Sequence, residues 1–417
     1  MIARFCLYSI LKNFRPFSAF FVIYLILDPA AGGLGLDLFT VGLLIGYERL
    51  LVAAGELPLG VLADRFGRRR ALAACFGSYV VAFSGWAIAA TQSDTRALAV
   101  LFLAQTAYAI GEAFRTGTHK AIMLDWVDST QEASATHVVA LTRTFSKLTE
   151  GITALAGGVL LWRSGSLSWL FWSAVPAAIA GIGLSLSYPR WLEGEMTRRR
   201  ARPSLREGFL ALARRPGLAE LLLLSVGFEV ACKLAQTYLQ PFLERGLDAR
   251  DVAIVGGRGA LVLGAFYFAY GFVGGIGASS ARHAERWFGA RAFALVTAAW
   301  GAALTCAGLV VLPADVPVAV LGAGFIVLSL LQNARRPVFV ATLNRLMDGA
   351  QRATTLSVES QGRSAALAVL APVTGWIADR AGLDVVFLLL AVSLAALGGL
   401  GALRARRGLA APPPGGA

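Results

Sequence analysis

Glu112, Arg115 and His119 stand at i, i+3 and i+7 in "GEAFRTGTHKAIMLDW" (111–126). At roughly 100° per residue, a helix brings them within about 60° of one another. A carboxylate, a guanidinium and an imidazole on one stripe can pair internally, hold an anion or pass a proton. Lys120 flanks that stripe, and Asp125 lies on another face. Similar groupings recur along the chain. Arg143, Lys147 and Glu150 share a helical stripe, as do Glu229, Lys233, Gln236 and Gln240, and Glu359 precedes Arg363 by four. Lys12, Arg15, Glu48, Arg49, Glu56 and the "QNARRP" stretch (332–337) add further polar groups to otherwise apolar surroundings.

The elements that carry these residues are hydrophobic. Of 417 residues, 57% are hydrophobic and 15% are charged, where a soluble domain uses roughly 25% charge. Mean hydropathy is +0.65. A helix needs about 20 apolar residues to cross a bilayer. Twelve segments qualify: 7–30, 38–63, 70–91, 96–124, 136–162, 168–188, 217–241, 256–280, 290–312, 316–344, 353–378 and 384–403. The expected fold is an all-α membrane protein of twelve transmembrane helices in two pseudo-symmetric six-helix bundles. The N-terminal stretch has no small-residue cleavage site and reads as a first membrane helix. Cys6, Cys75, Cys232 and Cys306 lie in apolar stretches without metal spacing, so they read as small buried hydrophobes.

Arginine placement orients the chain. With the N-terminus inside, the inner loops hold Arg65, Arg68, Arg69 and Arg70, a run from Arg190 to Arg215, Arg282, Arg286 and Arg291, and the last helix is followed by Arg404, Arg406 and Arg407. The outer loops hold only Arg96, Arg163, Arg245, Arg250 and Arg380. Both termini are therefore expected in the cytoplasm. The net charge of +13 reflects this asymmetry and does not point to nucleic acid. Residues 189–216 form a basic linker, lying on anionic lipid, between bundles at 1–188 and 217–404. Residues 405–417 read as a disordered tail. "YLILDPAAGGLGLDLFTVG" (24–42) resembles "YLQPFLERGLDARDVAIVG" (238–256), and "LDWVDSTQEAS" (124–134) resembles "LNRLMDGAQRAT" (343–354). Both repeats lie about half a chain apart, the duplication expected of a secondary transporter. Segments three, six, nine and twelve carry no charged residue beyond the first two positions of their spans. A period of three in polarity turns two helices of each triplet toward something wet.

Between segments two and three stands "GVLADRFGRRRAL" (60–72). It resembles the signature of the major facilitator superfamily, Gly-x-Leu-Ala-Asp-Arg-x-Gly-Arg-Arg/Lys, with degenerate echoes at 281–291 and 375–382. Glycine permits a sharp turn and close approach of helix ends, and an aspartate can brace a helix N-terminus or an arginine. The resemblance implies a gate formed by Gly60, Asp64, Arg65, Gly67 and Arg68, with Asp125 joining it. It also implies that segments one, four, seven and ten line a central cavity, helped by two, five, eight and eleven. The family's antiporter signature Gly-Pro-x-x-Gly-Gly is represented only by "TALAGG" (153–158), so antiport is not supported by that motif.

All four lysines, Lys12, Lys120, Lys147 and Lys233, lie in membrane segments, whereas the loops use arginine. A retained lysine suits a site that needs a compact ammonium. The polar spans hold eleven Lys/Arg against six Glu, a surplus that an anionic substrate would complete. The substrate-binding candidates are Arg115, Arg143, Lys147, Lys233, Gln236 and Arg363. The proton carriers are Glu112, Glu150 and Glu229. Helical spacing also allows internal pairs (Glu112–Arg115, Lys147–Glu150, Glu229–Lys233, Glu359–Arg363), which would suit a neutral or zwitterionic solute. The expected function is secondary transport of a small polar, anionic solute by alternating access with proton coupling. A pump for hydrophobic drugs and a transport-inactive sensor or scaffold are the alternatives. No P-loop is present, and no cofactor, metal, nucleic acid or enzymatic activity is expected. The protein is expected to work as a monomer in a bacterial cytoplasmic membrane, with solute, protons and lipid as its partners.

Overall fold

The computed structural model describes residues 1–92, 94–115, 118–130, 135–193, 216–248, 252–279, 291–311, 318–345 and 349–410. The described residues are helical, with no strand among them. The helices are α1 (Ile2–Asn13), α2 (Phe21–Ile26), α3 (Leu38–Phe66), α4 (Arg68–Ala89), α5 (Asp94–Arg115), α6 (Thr118–Thr130), α7 (Ala135–Ser164), α8 (Ser168–Trp172) and α9 (Val175–Leu186). They continue with α10 (Pro216–Asp248), α11 (Arg258–Ser279), α12 (Arg291–Val311), α13 (Val318–Arg345), α14 (Gly349–Ala381) and α15 (Leu383–Ala410). Every one of the twelve apolar segments coincides with a helix or an interrupted pair: α1 with α2, α5 with α6, and α8 with α9. Stretches Leu38–Glu56, Arg68–Ala89, Arg96–Thr130, Ser168–Leu186 and Leu383–Leu403 are each long and apolar enough to cross a membrane.

Local chemistry sets the ends of these helices. The Asp37 carboxylate caps α3 by accepting from the Thr40 N–H at 2.8 Å. Gly67, at φ 100°, makes the turn from α3 into α4 that a side chain would strain. The basic linker (194–215), the 281–291 echo up to residue 290 and residues 411–417 lie outside the described residues. Helix α15 runs to Ala410, past the apolar span.

The chain divides into two compact units. The first holds Met1–Arg200, Leu243–Phe272 and Leu367–Trp376. Its core is aromatic: Phe17, Phe83, Trp86 and Phe171 lie with ring centroids 5.0–5.9 Å apart. Small residues let its helices approach closely. A Cβ on Gly85 of α4 would sit 2.7 Å from the Ala104 methyl of α5, and one on Gly42 of α3 would collide with the Ala371 carbonyl of α14. The second unit holds Ala201–Phe242, Val273–Ala366 and Ile377–Ala417, with Phe242, Phe325 and Phe387 packed edge-on at 5.2–5.8 Å. All four cysteines are free and buried, as their apolar settings predict.

Candidate functional site

In the first unit a single carboxylate gathers the charge. Glu112 on α5 accepts from Arg15 Nη2 at 3.1 Å, from Arg115 Nε at 3.0 Å and from the Tyr79 hydroxyl at 2.6 Å. Arg15 donates its other terminal nitrogen to the Tyr108 hydroxyl at 2.6 Å and lies over the Tyr79 and Tyr108 rings at 4.9 and 5.2 Å. The two guanidiniums differ in access: the Arg115 side chain is 30% exposed and that of Arg15 17%. Two cations on one anion leave this group positive, and Lys12 lies on the turn before Arg15. A charge at such depth is held only by partners of this kind.

His119 is buried one turn further on. Its ring stacks on Tyr8 at 3.6 Å, and Nε2 lies 3.3 Å from the Tyr188 hydroxyl. On α3, buried Glu48 accepts from Gln105 Nε2 at 2.9 Å and pairs with Arg49 at 3.1 Å. On α7, Lys147 donates to Glu150 at 2.7 Å, and their side chains are 35% and 43% exposed, respectively. Arg143 and Lys120 are exposed.

In the second unit, ion pairs among the described residues run between helices. Glu229 on α10 takes Arg335 Nη1 at 3.3 Å and Gln332 Nε2 at 3.0 Å, both from α13. Gln236 donates to Gln332, extending the chain of amides. The Arg335 guanidinium lies 4.4 Å from the Phe228 ring centre, with its side chain only 3% exposed. Glu359 on α14, 2% exposed, accepts both terminal nitrogens of Arg336 and the Ser225 hydroxyl at 2.8 Å. Arg363 reaches Ser360 at 3.5 Å. Of the internal pairs that spacing allows, Glu112–Arg115 and Lys147–Glu150 form. Glu359 instead pairs with Arg336 because α13 offers it a guanidinium from outside its own helix.

At the α3–α4 turn, Arg68 bridges Asp64 at 3.4 Å and Asp125 of α6. Arg69 donates to the Leu186 carbonyl at the end of α9. The turn at Gly67 thus joins the ends of α3 and α4 in a charged cluster with Asp125 of α6, while Gly60 is buried within α3 and Arg65 stays exposed. Among the described residues no group of His, Cys, Asp and Glu is arranged to hold a metal ion.

Sequence reasoning placed Glu112 and Arg115 in the site but left Arg15, Tyr79 and Tyr108 out of it. Their signal was present: an Arg-Pro step inside an apolar span, and tyrosines on the neighbouring helices α4 and α5.

Comparison with known proteins gives a consistent picture. Residues 14–299 match the family model "Major Facilitator Superfamily". No curated protein sequence matches the chain. Among solved structures, a nucleoside transporter, NupG, superposes with a TM-score of 0.77 at 13% identity, covering 96% of this chain and 99% of its own. A bacterial homolog to the human lysosomal transporter Spinster, inward-facing and unoccupied, gives 0.73 at 18% identity over 99% and 98%. A peptide transporter, POT, in complex with sulfate gives 0.72 at 15% identity over 97% and 94%. At these identities the likeness speaks for the fold. Together with the matched family model it makes this chain a multi-pass membrane transporter of the major facilitator superfamily.

Proposed function

We propose that the protein carries a small anionic solute by alternating access, coupled to protons. The observation that supports this most is the Glu112 cluster, where Arg15 and Arg115 share one carboxylate. A carboxylate or phosphate group on the solute would supply the missing negative charge, and charge-assisted, bidentate contacts to guanidinium are among the stronger hydrogen bonds available to it. Arg115 is the better-placed arm because it is the more exposed. Arg143, Lys147, Lys233, Gln236 and Arg363 complete the solute-binding set. Glu112, Glu150 and Glu229 are the proton carriers, each trading an ion pair for a proton as water access changes. Asp64, Arg65, Arg68 and Asp125, with Gly60 and Gly67, latch the cytoplasmic gate. The two six-helix bundles span 1–188 and 217–404, and the protein works as a monomer in a bacterial cytoplasmic membrane with both termini inside.

A neutral or zwitterionic solute is the second reading, favoured by the ion pairs of Glu229 with Arg335 and Glu359 with Arg336. A thermal-shift screen of the purified protein against organic anions, sugars, amino acids and drugs separates the two, since a ligand of the folded form raises its melting temperature. The anionic reading expects stabilisation by an organic anion, weakened in Arg115→Gln. Stabilisation by neutral compounds alone overturns it.

A further inference from the structure

The first membrane segment is not one helix, and the place where it breaks carries Arg15. Helix α1 stops at Asn13, a 3-10 turn follows at 16–19, and α2 begins at Phe21. Pro16 accounts for the break. It has no N–H to give the Lys12 carbonyl, and it disfavours helical geometry at the residue before it. Arg15 accordingly takes φ −134°, ψ 73°. Phe14, at φ −73°, ψ 81°, closes an inverse γ-turn in which the Arg15 N–H donates to the Asn13 carbonyl at 2.8 Å.

Irregular backbone at membrane depth needs protein around it, and α7 provides that support. The Thr153 hydroxyl, which donates to the Thr149 carbonyl of its own helix at 2.7 Å, also lies 3.4 Å from the Asn13 carbonyl. One turn on, Gly157 lies against Pro16 so closely that a Cβ there would collide with the Pro16 carbonyl. Thr153 and Gly157 thus flank the two ends of the γ-turn, and both are buried. They belong to "TALAGG" (153–158), for which no role emerged above. Neighbouring Gly158 points elsewhere, toward the Ala260 carbonyl and Gly264 of α11.

We infer that Thr153 and Gly157 are positioning residues: they seat the break in the first segment and thereby aim the Arg15 guanidinium at Glu112 and Tyr108. The inference holds whatever charge the solute carries, so it stands or falls separately from the anionic reading. A side chain at 157 would push Pro16 away from α7. Because Arg15 is next in the chain, its side chain would leave the rings of Tyr79 and Tyr108.

Modification of arginines by phenylglyoxal, followed by mass spectrometry on the intact purified protein, tests this. In the native chain Arg15 and Arg335 should both react slowly, being largely shielded. In Gly157→Ala, Arg15 should react several-fold faster while Arg335 stays slow. In Gly158→Ala neither should change. A purely structural role for Gly157 predicts either no change at Arg15 or equal acceleration at both arginines, and each of those results overturns the inference. If Gly157→Ala does not yield folded protein, Thr153→Val keeps the volume, removes only the hydroxyl and is judged by the same criterion. Melting temperatures give a second reading. The losses from Gly157→Ala and Arg15→Gln should be less than additive in the double variant, because either change alone already breaks the same contacts. Strict additivity counts against the inference.

Discussion

Burial separates the charged side chains that hold the fold from those free to meet a solute. Arg335 is 3% exposed and faces Glu229, itself 10% exposed. Removing one partner of such a pair leaves an uncompensated charge, which costs about 3 kcal/mol or more. Arg335→Met should therefore lower the melting temperature sharply. Lys147 and Glu150 are 35% and 43% exposed, and pairs of that kind contribute at most about 1 kcal/mol. Lys147→Met should leave melting nearly unchanged yet abolish uptake by proteoliposomes. Equal melting losses in the two variants would remove the distinction, and normal uptake by Lys147→Met would take Lys147 out of the solute-binding set. The difference between these residues was not legible in the sequence. Spacing within one helix finds Glu112–Arg115 and Lys147–Glu150, because i, i+3 neighbours share a face. It cannot find Arg335–Glu229 or Arg336–Glu359, because those depend on how α13 is rotated against α10 and α14. Arg335 and Arg336 therefore read as surplus charges although both are paired.

At the scale of helices, hydropathy alone placed all twelve apolar segments, since length and composition are strong constraints in lipid. It did not reveal the interruption at Pro16, which a local rule about proline would have marked. Nor did it reveal which glycines are contact points. Gly42 and Gly46 of α3 lie against the Ala371 and Ala368 carbonyls of α14, and Gly375 of α14 lies against the Leu38 carbonyl. Three glycines thus bring two helix backbones together in a contact only they permit. A methyl group at position 46 should push α14 away from α3. A cysteine in place of Ala368 should then react faster with a water-soluble maleimide in the Gly46→Ala background than in the native one. Unchanged labelling would mean that the helices absorb the methyl without separating, and that this contact does not set their spacing.

For the molecule as a whole, the distribution of arginine is the most informative quantity, and it acts before any tertiary contact forms. Lysine and arginine in short loops resist translocation, so the side richer in them stays in the cytoplasm. On the proposed topology the turn at Arg65–Arg70 and the stretch from Arg190 to Arg215 share one side, and the scattered Arg96 and Arg163 belong to the other. Three helix ends test that alternation: α3 passes into α4 at Gly67, α7 ends at Ser164, and α9 ends at Leu186. Each crossing reverses the side, so the three positions alternate only if the number of crossings between them is right. Alkaline phosphatase, active only outside the cytoplasm, should work when fused at Ser164 and fail when fused at Gly67 or Tyr188. Fluorescent protein fused behind Ala410 should fluoresce, because an even number of crossings returns the chain to the side where it began. Activity at Tyr188 would show that α8 and α9 do not together cross the membrane, and the twelve-crossing topology would fall with it.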